Sequence, residues 1–181
     1  MKNTWIISDT HFRHEAILGF TDHEGKTTRP GFANAAEVDE LIFENWNSVV
    51  KPNDTVWHLG DVLFGPDKLI WLENNFKKLN GKKNLVVGNH DNIKLMSMFF
   101  REVKLLHQDD HRDLLFSHVP MHPSQTKRPR PGVRSNWEDM PSFTNVHGHI
   151  HTNPSPEGPY KCVCVEQTNY TPVHIDELLD A

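Results

Sequence analysis

The 181-residue chain is 36% apolar, which suits one compact domain over residues 1–181 with a sizeable hydrophobic core. Its formal net charge of −5 excludes a global positive field that would attract nucleic acid or an anionic membrane, so any affinity for phosphate has to be local. No apolar run approaches membrane-spanning length and the first residues carry no secretory signal, so we expect a cytoplasmic protein that does not bind membranes.

In the first half of the chain, short apolar runs alternate with helical patterns. The runs at 5–7, 56–59 and 85–87 predict buried strands. Between them, one helix should begin after Asn34, which can cap it, and another should carry Pro66 in its first turn. The apolar stripe of this second helix is expected at Leu69, Leu72, Phe76 and Leu79. Such alternation predicts parallel strands joined by right-handed crossovers.

The second half of the chain predicts further strands. A turn at 109–113 should end one strand and lead into another at 114–116, which would form a hairpin. The closing strands are expected around 145–147, 160–167 and 173–175. We therefore expect a second, mixed sheet.

The two cysteines, Cys162 and Cys164, stand one residue apart and would share one face of a strand. Reduced core residues, a soft-metal pair and a redox pair are the alternatives for them. Reduced core residues fit a cytoplasmic protein best.

Polar residues follow the predicted strands in five short motifs. In chain order these are Asp9-Thr10-His11, Gly60-Asp61, Gly88-Asn89-His90-Asp91, Ser117-His118 and Gly148-His149-Ile150-His151. Because residues just past the carboxyl ends of parallel strands meet at one edge of a sheet, these side chains should converge. Residues at i and i+2 share a face, so the Asp-x-His pair and the His-x-His pair should each point to one place.

The converging side chains offer seven metal ligands, namely Asp9, His11, Asp61, Asn89, His118, His149 and His151. Carboxylate, amide and imidazole donors without thiolates favour a catalytic transition metal over Ca²⁺ or a structural zinc site. Seven ligands are too many for one tetrahedral ion, so we expect two divalent ions, with Mn²⁺ preferred and Fe, Zn²⁺ or Ni²⁺ as alternatives. Two such ions about 3.5 to 4 Å apart can generate a hydroxide at neutral pH and hold the oxygens of a displacement at phosphorus. His90, beside the ligand Asn89, is the candidate to assist the leaving oxygen.

The five motifs, in this order, resemble those of the calcineurin-like metallophosphoesterases, and specifically the compact bacterial and phage type without a cap domain. The resemblance runs from residue 9 to residue 151, and residues 165–173 also resemble the closing segment of such small proteins. It implies a fold of two mixed β-sheets packed face to face and flanked by helices, a four-layer α/β/β/α sandwich.

The resemblance also implies roles for individual residues. Asp9, His11 and His151 would hold the first metal. Asn89, His118 and His149 would hold the second, with Asp61 bridging the two ions and His90 assisting the leaving group.

The second motif departs from one branch of that family. Protein serine/threonine phosphatases and diadenosine tetraphosphatases continue it with Asp-Arg-Gly, three residues after the metal aspartate. Here Phe64 and Gly65 stand where the aspartate and the arginine would be. His90 therefore needs another orienting partner, and the segment resembles the phosphodiesterase branch instead.

Several residues near the motifs are candidates for substrate contact. His14 could contact phosphate or cap the start of the following helix. The stretch 127–134 carries four positive charges and no acid in a loop whose ends are expected near the metals, so it could grip phosphates or remain a solvated loop. The candidates are His14, His122, Arg128, Arg130 and Arg134. Trp137 and Phe143 of the same loop could stack on a base or cover the core.

The function that these patterns favour is a phosphodiesterase with two metal ions. Its substrate would be a phosphate ester in a nucleotide, a cyclic nucleotide or a nucleic acid. A phosphomonoesterase of the same fold is one alternative, and a binding module that keeps the fold without catalysis is the other.

Overall fold

The computed structural model describes residues 2–128 and 140–179. The strands in this part of the chain are β1 (Thr4–Ile7), β2 (Thr55–His58), β3 (Lys82–Val86), β4 (Val103–Lys104), β5 (His107–Asp109), β6 (Leu114–Phe116), β7 (Thr144–His147), β8 (Tyr160–Cys162) and β9 (Val173–His174). The α-helices are α1 (Ala35–Val49), α2 (Lys68–Asn74) and α3 (Ile93–Met96). None of the helices in this described part has both the length and the apolar character that crossing a membrane requires.

The first sheet has five strands in the order β4-β3-β2-β1-β9. Strands β1 to β4 are parallel, and β9 returns antiparallel to β1. Ile7 pairs with His58, and His58 pairs with Leu85, so the carboxyl ends of the three central strands are level. The first three polar motifs consequently leave the sheet along the same edge.

The second sheet has four strands in the order β5-β6-β7-β8. Strands β6, β7 and β8 are parallel, and β5 forms the predicted antiparallel hairpin with β6. A bridge between Ser8 and Cys164 connects the two sheets, because the backbone N–H of Ser8 donates to the carbonyl of Val163 at 2.9 Å. This bridge brings the polar edge of the second sheet next to that of the first.

The two sheets pack face to face through a shared apolar layer. Ile6, Trp57, Leu59 and Val86 of the first sheet meet Leu114, Phe116, Val146 and Val163 of the second, and all eight are buried. A second apolar layer lies between the first sheet and the helices, with Ile42 and Trp46 of α1 and Leu72 of α2 packed against it. The expected fold class, two mixed sheets packed face to face with flanking helices, is therefore confirmed.

The first predicted helix agrees with the structure, and the second is shorter than expected. The side chain of Asn34 accepts a hydrogen bond from the backbone N–H of Glu37 at 3.1 Å, which is the predicted cap of α1. Helix α2 begins at Lys68, because Asp67 adopts a left-handed backbone with φ of 52° and turns the chain first. Pro66 therefore precedes the helix, and Leu69 is 41% exposed instead of joining the apolar stripe.

The predicted strand over 160–167 is also too long. Strand β8 ends at Cys162, and the chain then turns, with the backbone N–H of Gln167 donating to the carbonyl of Cys164. The bridge from Cys164 to Ser8 directs this segment toward the first sheet, away from its neighbour β7. The turn places Glu166 under the polar edge, where it touches the site described next.

Candidate metal centre

The candidate ligands stand at sharp turns directly after strand ends. Five of them have left-handed backbone, with φ of 57° at Asp9, 46° at His11, 57° at Asp61, 71° at His149 and 50° at His151. This conformation costs a residue with a side chain on the order of 1 to 3 kcal/mol, and it persists only where surrounding contacts hold it. Such strained turns gathered at one edge of the sheets mark a functional site.

Two motif glycines allow the strand ends to approach each other. A Cβ at Gly148 would collide with the hydroxyl of Ser8 and the carboxylate of Asp9. A Cβ at Gly88 would collide with the backbone and carboxylate of Asp61. Glycine is needed at both positions because any other residue would push two ligand-bearing turns apart.

The first cluster consists of Asp9, His11 and His151, whose ligand atoms lie within 4.8 Å of one another. Oδ1 of Asp9 lies 3.7 Å from Nε2 of His11, and both atoms are buried without a hydrogen-bond partner in the described part of the chain. Oδ2 of Asp9 accepts hydrogen bonds from the hydroxyl of Ser8 at 2.6 Å and from the backbone N–H of His149 at 2.8 Å. One carboxylate oxygen is therefore fixed, and the other faces the histidines.

The second cluster consists of Asp61, His118 and His149, whose ligand atoms also lie within 4.8 Å of one another. Nδ1 of His118 lies 2.8 Å from the carbonyl of Leu59, which holds the ring and directs Nε2 toward the site. The side-chain oxygen of Asn89 lies 2.8 Å from this Nε2. Asn89 therefore adds a further oxygen donor to the second cluster.

Asp61 lies between the two clusters. Its Oδ2 is 3.5 Å from Nε2 of His11 in the first cluster and 3.5 Å from Nε2 of His118 in the second. Its Oδ1 accepts a hydrogen bond from the backbone N–H of His90 at 2.9 Å. One carboxylate thus faces both histidines with the same oxygen, which is the placement that a bridging ligand requires.

The electrostatics of the two clusters favour a bound cation. Burial raises the pKa of Asp9, but contact with His11 and the charges of His118 and His151 outweigh burial and leave this pKa well below its usual range. Burial lowers the pKa of His118, but its contact with Asp61 dominates and raises the pKa to about 9. Both shifts have one cause, the attraction between the histidine rings and the carboxylates, and a bound cation would meet the same attraction.

His90 lies at the open side of the site. Its side chain is 43% exposed, and its Nε2 lies 4.0 Å from Oδ2 of Asp61. Its ring meets the ring of Phe64 edge to face, with 4.8 Å between the centroids. Phe64, which stands where the related phosphatases carry an aspartate, therefore contacts His90 through an apolar ring and not through a hydrogen bond.

His14 lies behind the first cluster. Its ring is stacked on Phe64 at 3.8 Å, and its Nδ1 lies 3.1 Å from Nδ1 of His11. It makes no capping hydrogen bond to the following 3₁₀ turn (Glu15–Gly19), so the capping alternative is wrong. His14 is 8% exposed and is placed to support the ring of His11, and its contact with phosphate stays a prediction.

The hydrogen bonds of His122 within the described residues go to Ser124 and not to a ligand of either cluster. His122 is exposed, and its Nδ1 accepts the backbone N–H of Ser124 at 3.2 Å, which caps a short 3₁₀ turn (Pro123–Gln125). The preceding residue, Met121, donates its backbone N–H to the side chain of Asn145 in the middle of β7. The chain therefore leaves the metal edge after His118 and crosses the outer face of the second sheet.

Arg128 lies at the opposite end of the second sheet. It forms an ion pair with Asp113, and its Nη2 lies 3.9 Å from the carboxylate of Asp110 in the hairpin turn before β6. Five residues of extended chain separate Asp113 from His118, about 16 Å at the usual rise per residue. The loop between His118 and His149 has its two ends at the second cluster, but Arg128 within it is paired with the hairpin turn, and its contact with substrate stays a prediction.

The remaining candidates in this loop divide into two groups. Arg130, Arg134 and Trp137 lie outside the described residues. Phe143 is 4% exposed and therefore covers the core.

The structure also shows supporting residues to which the sequence patterns assign no role. The carboxylate of Asp91 accepts the backbone N–H groups of Asp61, Val62 and Gly88 at 2.9 to 3.0 Å. Asp91 thereby holds the turn that carries Asp61. Its position inside the third motif is the sequence feature that could have indicated this role. The thiol of Cys164 donates to Oδ2 of Asp9 at 3.3 Å, so this cysteine is a buried reduced residue.

Arg29 and Glu166 form a buried ion pair at the first cluster, with 2.8 Å between Nε and Oε1. Oε1 of Glu166 also lies 2.9 Å from Nδ1 of His151. Arg29 is buried, with 2% of the whole residue exposed, although it lies in an irregular stretch of the chain. Local sequence carries no signal for this pair, because its members are 137 positions apart.

The two clusters fit a pair of divalent ions. Buried ligand atoms of Asp9 and His11 lack other partners in the described residues, as expected for atoms that a metal completes. The mixed oxygen and nitrogen donors suit Mn²⁺, Fe, Zn²⁺ or Ni²⁺. Each cluster offers three side chains, and Asp61 of the second cluster also faces the first. This number of ligands would leave coordination positions on the ions open for a water and for substrate oxygens.

Comparison with known proteins agrees with this arrangement. A model of the calcineurin-like phosphoesterase family matches residues 2–177. The chain is 28% identical to the uncharacterized protein MJ1445 of Methanocaldococcus jannaschii, over 97% of this chain and 89% of that protein. It is 28% identical to the gene 66 protein of Mycobacterium phage L5, over 84% of this chain and 79% of that one. Among solved structures, a protein of unknown function from Aquifex aeolicus, AQ665, aligns with a TM-score of 0.70 and 26% identity over 98% of both chains.

Proposed function

The chain belongs to the calcineurin-like phosphoesterase family, and on this basis we propose that it is a phosphodiesterase that uses two divalent metal ions. The proposed substrate is a nucleotide, a cyclic nucleotide or a nucleic-acid phosphodiester. Mn²⁺ is the proposed metal. The proposed catalytic unit is the single domain over residues 1–181, without a cap domain, and the cytoplasm is the proposed compartment.

The observation that carries the proposal is the position of Asp61 between the two ligand clusters. Its Oδ2 lies 3.5 Å from a histidine nitrogen of each cluster, so the clusters are close enough to share one ligand. In this proposal Asp9, His11 and His151 hold one ion. Asn89, His118 and His149 would hold the second, and Asp61 would serve as a ligand of both.

The metal ions and the protein side chains would make different contributions to the reaction. Bound divalent ions supply Lewis acidity toward phosphoryl oxygens and lower the pKa of coordinated water. The clusters can orient the phosphate, because two of the ligand rings are held from behind, His118 by the carbonyl of Leu59 and His151 by the carboxylate of Glu166. The exposed ring of His90 can donate a proton to the leaving oxygen, and its edge-to-face contact with Phe64 limits its rotation.

The environment of His90 supports a diester substrate over a monoester. A monoester brings two negative charges to the site, and a diester brings one. At the positions where the related phosphatases carry an aspartate and a phosphate-gripping arginine, this chain has Phe64 and Gly65. Phe64 presents an apolar ring beside His90, which suits the organic group on the second ester oxygen of a diester.

The test compares hydrolysis of bis(p-nitrophenyl) phosphate with that of p-nitrophenyl phosphate by protein stripped with a chelator and reloaded with Mn²⁺. We expect the protein to hydrolyse the diester faster than the monoester. The Asp61→Asn variant should lose this activity, because asparagine keeps the size of the side chain but removes its charge. Asp54→Asn is the matched control, because Asp54 is another buried carboxylate that accepts three hydrogen bonds, at the opposite end of β2.

Each outcome of this comparison separates the hypotheses. A preference for p-nitrophenyl phosphate would replace the diester proposal by the phosphomonoesterase. Metal binding without metal-dependent turnover of either ester would overturn the enzymatic proposal in favour of the binding module. Equal loss of activity in Asp61→Asn and Asp54→Asn would show that the Asp61 effect is a general loss of stability.

A further inference from the structure

The buried guanidinium of Arg29 contacts the first motif directly and is connected to the last motif through Glu166. Arg29 donates from Nη2 to the carbonyl of Asp9 at 2.7 Å and from Nη1 to the carbonyl of Thr10 at 3.2 Å. Its Nε donates to Oε1 of Glu166 at 2.8 Å. All three nitrogens of the guanidinium are therefore used, and two of their acceptors belong to the turn that carries the first ligand.

Glu166 extends this connection to a ligand from the other sheet. Its Oε1 lies 2.9 Å from Nδ1 of His151, which directs Nε2 of that ring toward the first cluster. Asp9 follows β1 in the first sheet, whereas His151 follows β7 in the second sheet. The pair of Arg29 and Glu166 therefore links two ligand-bearing turns that leave different sheets.

Stability alone is a weak explanation for this ion pair. Both side chains are 1% exposed, and burying two charges costs desolvation that an apolar pair of the same volume would avoid. A guanidinium is nevertheless suited to positioning, because its planar fork can hold three acceptors in a fixed arrangement. The backbone that it holds also needs support, since Asp9 and His11 are both in the left-handed region.

Two ligands of the second cluster are held by contacts other than this pair, whereas the backbone N–H of its third ligand, His149, donates to Asp9. Asp91 accepts the backbone N–H of Asp61, and the carbonyl of Leu59 holds the ring of His118. Neither contact involves Arg29 or Glu166. A change in the buried pair should therefore affect the two clusters unequally.

We propose that Arg29 and Glu166 are positioning residues that assemble the first cluster from the two sheets, so that their loss removes one metal ion and spares the other. The inference rests on the metal-binding part of the proposed function. It makes a prediction about metal stoichiometry that does not depend on which ester the protein hydrolyses. A carboxylate that supports a metal-bound histidine typically contributes about 10-fold to 100-fold to metal affinity.

The test measures Mn²⁺ binding by calorimetry and by electron paramagnetic resonance. For the wild type we expect two ions and the spectrum of a coupled pair. Glu166→Gln keeps the volume of the side chain and removes its charge, and it should weaken one ion by about 10-fold to 100-fold and yield the six-line spectrum of isolated Mn²⁺. Arg29→Lys should do the same, because one ammonium nitrogen cannot replace the three separate nitrogens with which the guanidinium fork reaches its acceptors.

Two further variants identify the affected cluster. His149→Ala removes a ligand of the second cluster and should leave one tightly bound ion, and adding Glu166→Gln should weaken the binding of that remaining ion about 10-fold to 100-fold. Asp54→Asn, a change at a buried carboxylate far from the site, should keep both ions.

The outcomes distinguish the inference from its premise. A wild type that binds no Mn²⁺ would overturn the proposed metal-dependent function itself. A wild type that binds two ions, together with a Glu166→Gln variant that binds two with unchanged affinity, would overturn only the positioning role. Equal losses of both ions in Glu166→Gln and in Asp54→Asn would also overturn it, because the effect would then reflect general destabilisation.

Discussion

Replacement of Asp91 by alanine should destabilise the protein and weaken the second cluster, because this one carboxylate holds three backbone N–H groups. Oδ2 accepts from Asp61 at 3.0 Å and from Gly88 at 2.9 Å, and Oδ1 accepts from Val62 at 3.0 Å. Burial raises the pKa of Asp91, and the hydrogen bonds from these N–H groups oppose that rise.

The size of the effect follows from the donors left without an acceptor. An unsatisfied buried N–H costs about 1 to 3 kcal/mol, and the low end applies because Asp91 is only partly buried, so Asp91→Ala should lower the free energy of unfolding by about 3 kcal/mol. Asp91→Asn can keep the two bonds to Oδ2, but its amide group would oppose the N–H of Val62, so we expect a loss of about 1 to 2 kcal/mol.

Urea unfolding of the chelator-stripped protein measures this change, and Mn²⁺ titration measures the effect on the site. Asp22→Ala is the control, since Asp22 also accepts two backbone N–H groups, from Glu24 and Lys26, but in an exposed hairpin where water can replace it. The reasoning would be refuted if Asp91→Ala cost less than about 1 kcal/mol, or no more than the control.

Two further predictions concern histidines. His90→Ala should lower kcat by about 10²-fold to 10⁴-fold, which is the usual contribution of a general acid or base. The metal content of this variant should be unchanged, because the ring of His90 belongs to neither cluster. An unchanged rate would remove His90 from the mechanism. Burial lowers the pKa of His58 to about 3, and its Nδ1 accepts the N–H of Gly60 while Nε2 bonds to Thr10. Because the unfolded chain then binds a proton that the folded protein does not, the free energy of unfolding should fall as the pH falls from about 6.5 toward 3. In urea unfolding of the metal-free protein, His58→Gln should make this slope shallower by up to about 1.4 kcal/mol per pH unit, and parallel curves for the two proteins would contradict the assignment.

Much of the fold could be predicted because its elements have local signatures. The apolar runs at 5–7, 56–59 and 114–116 coincide with β1, β2 and β6. The cap formed by Asn34 and Glu37 marks the start of α1. Predictions failed where backbone conformation depended on distant contacts, as at the start of α2, or where a strand left its sheet for a bridge to the other one, as at Cys164.

The basic loop shows the same limit for the site. Its position in the chain, between His118 and His149, suggested that it overhangs the metals. For its described residue Arg128, the structure instead shows an ion pair with Asp113, at the far end of β6. Sequence distance from a ligand is a poor measure of spatial distance, because three residues of strand already move the chain by about 10 Å.

The sequence by itself determined which side chains stand at the ends of strands. An apolar run followed by Asp, Asn or His is a local pattern that can be recognised without knowledge of the tertiary structure. The sequence also indicated the donor chemistry, since residue types alone select oxygen and nitrogen over sulfur. The motif resemblance also implied that Asp61 is shared by the two metals. Only the tertiary structure decided that Arg29 and Glu166 join the first cluster from behind. These contacts depend on strand order, on left-handed turns and on the bridge between the sheets, and each of these is set by hydrogen bonds between residues far apart in the chain.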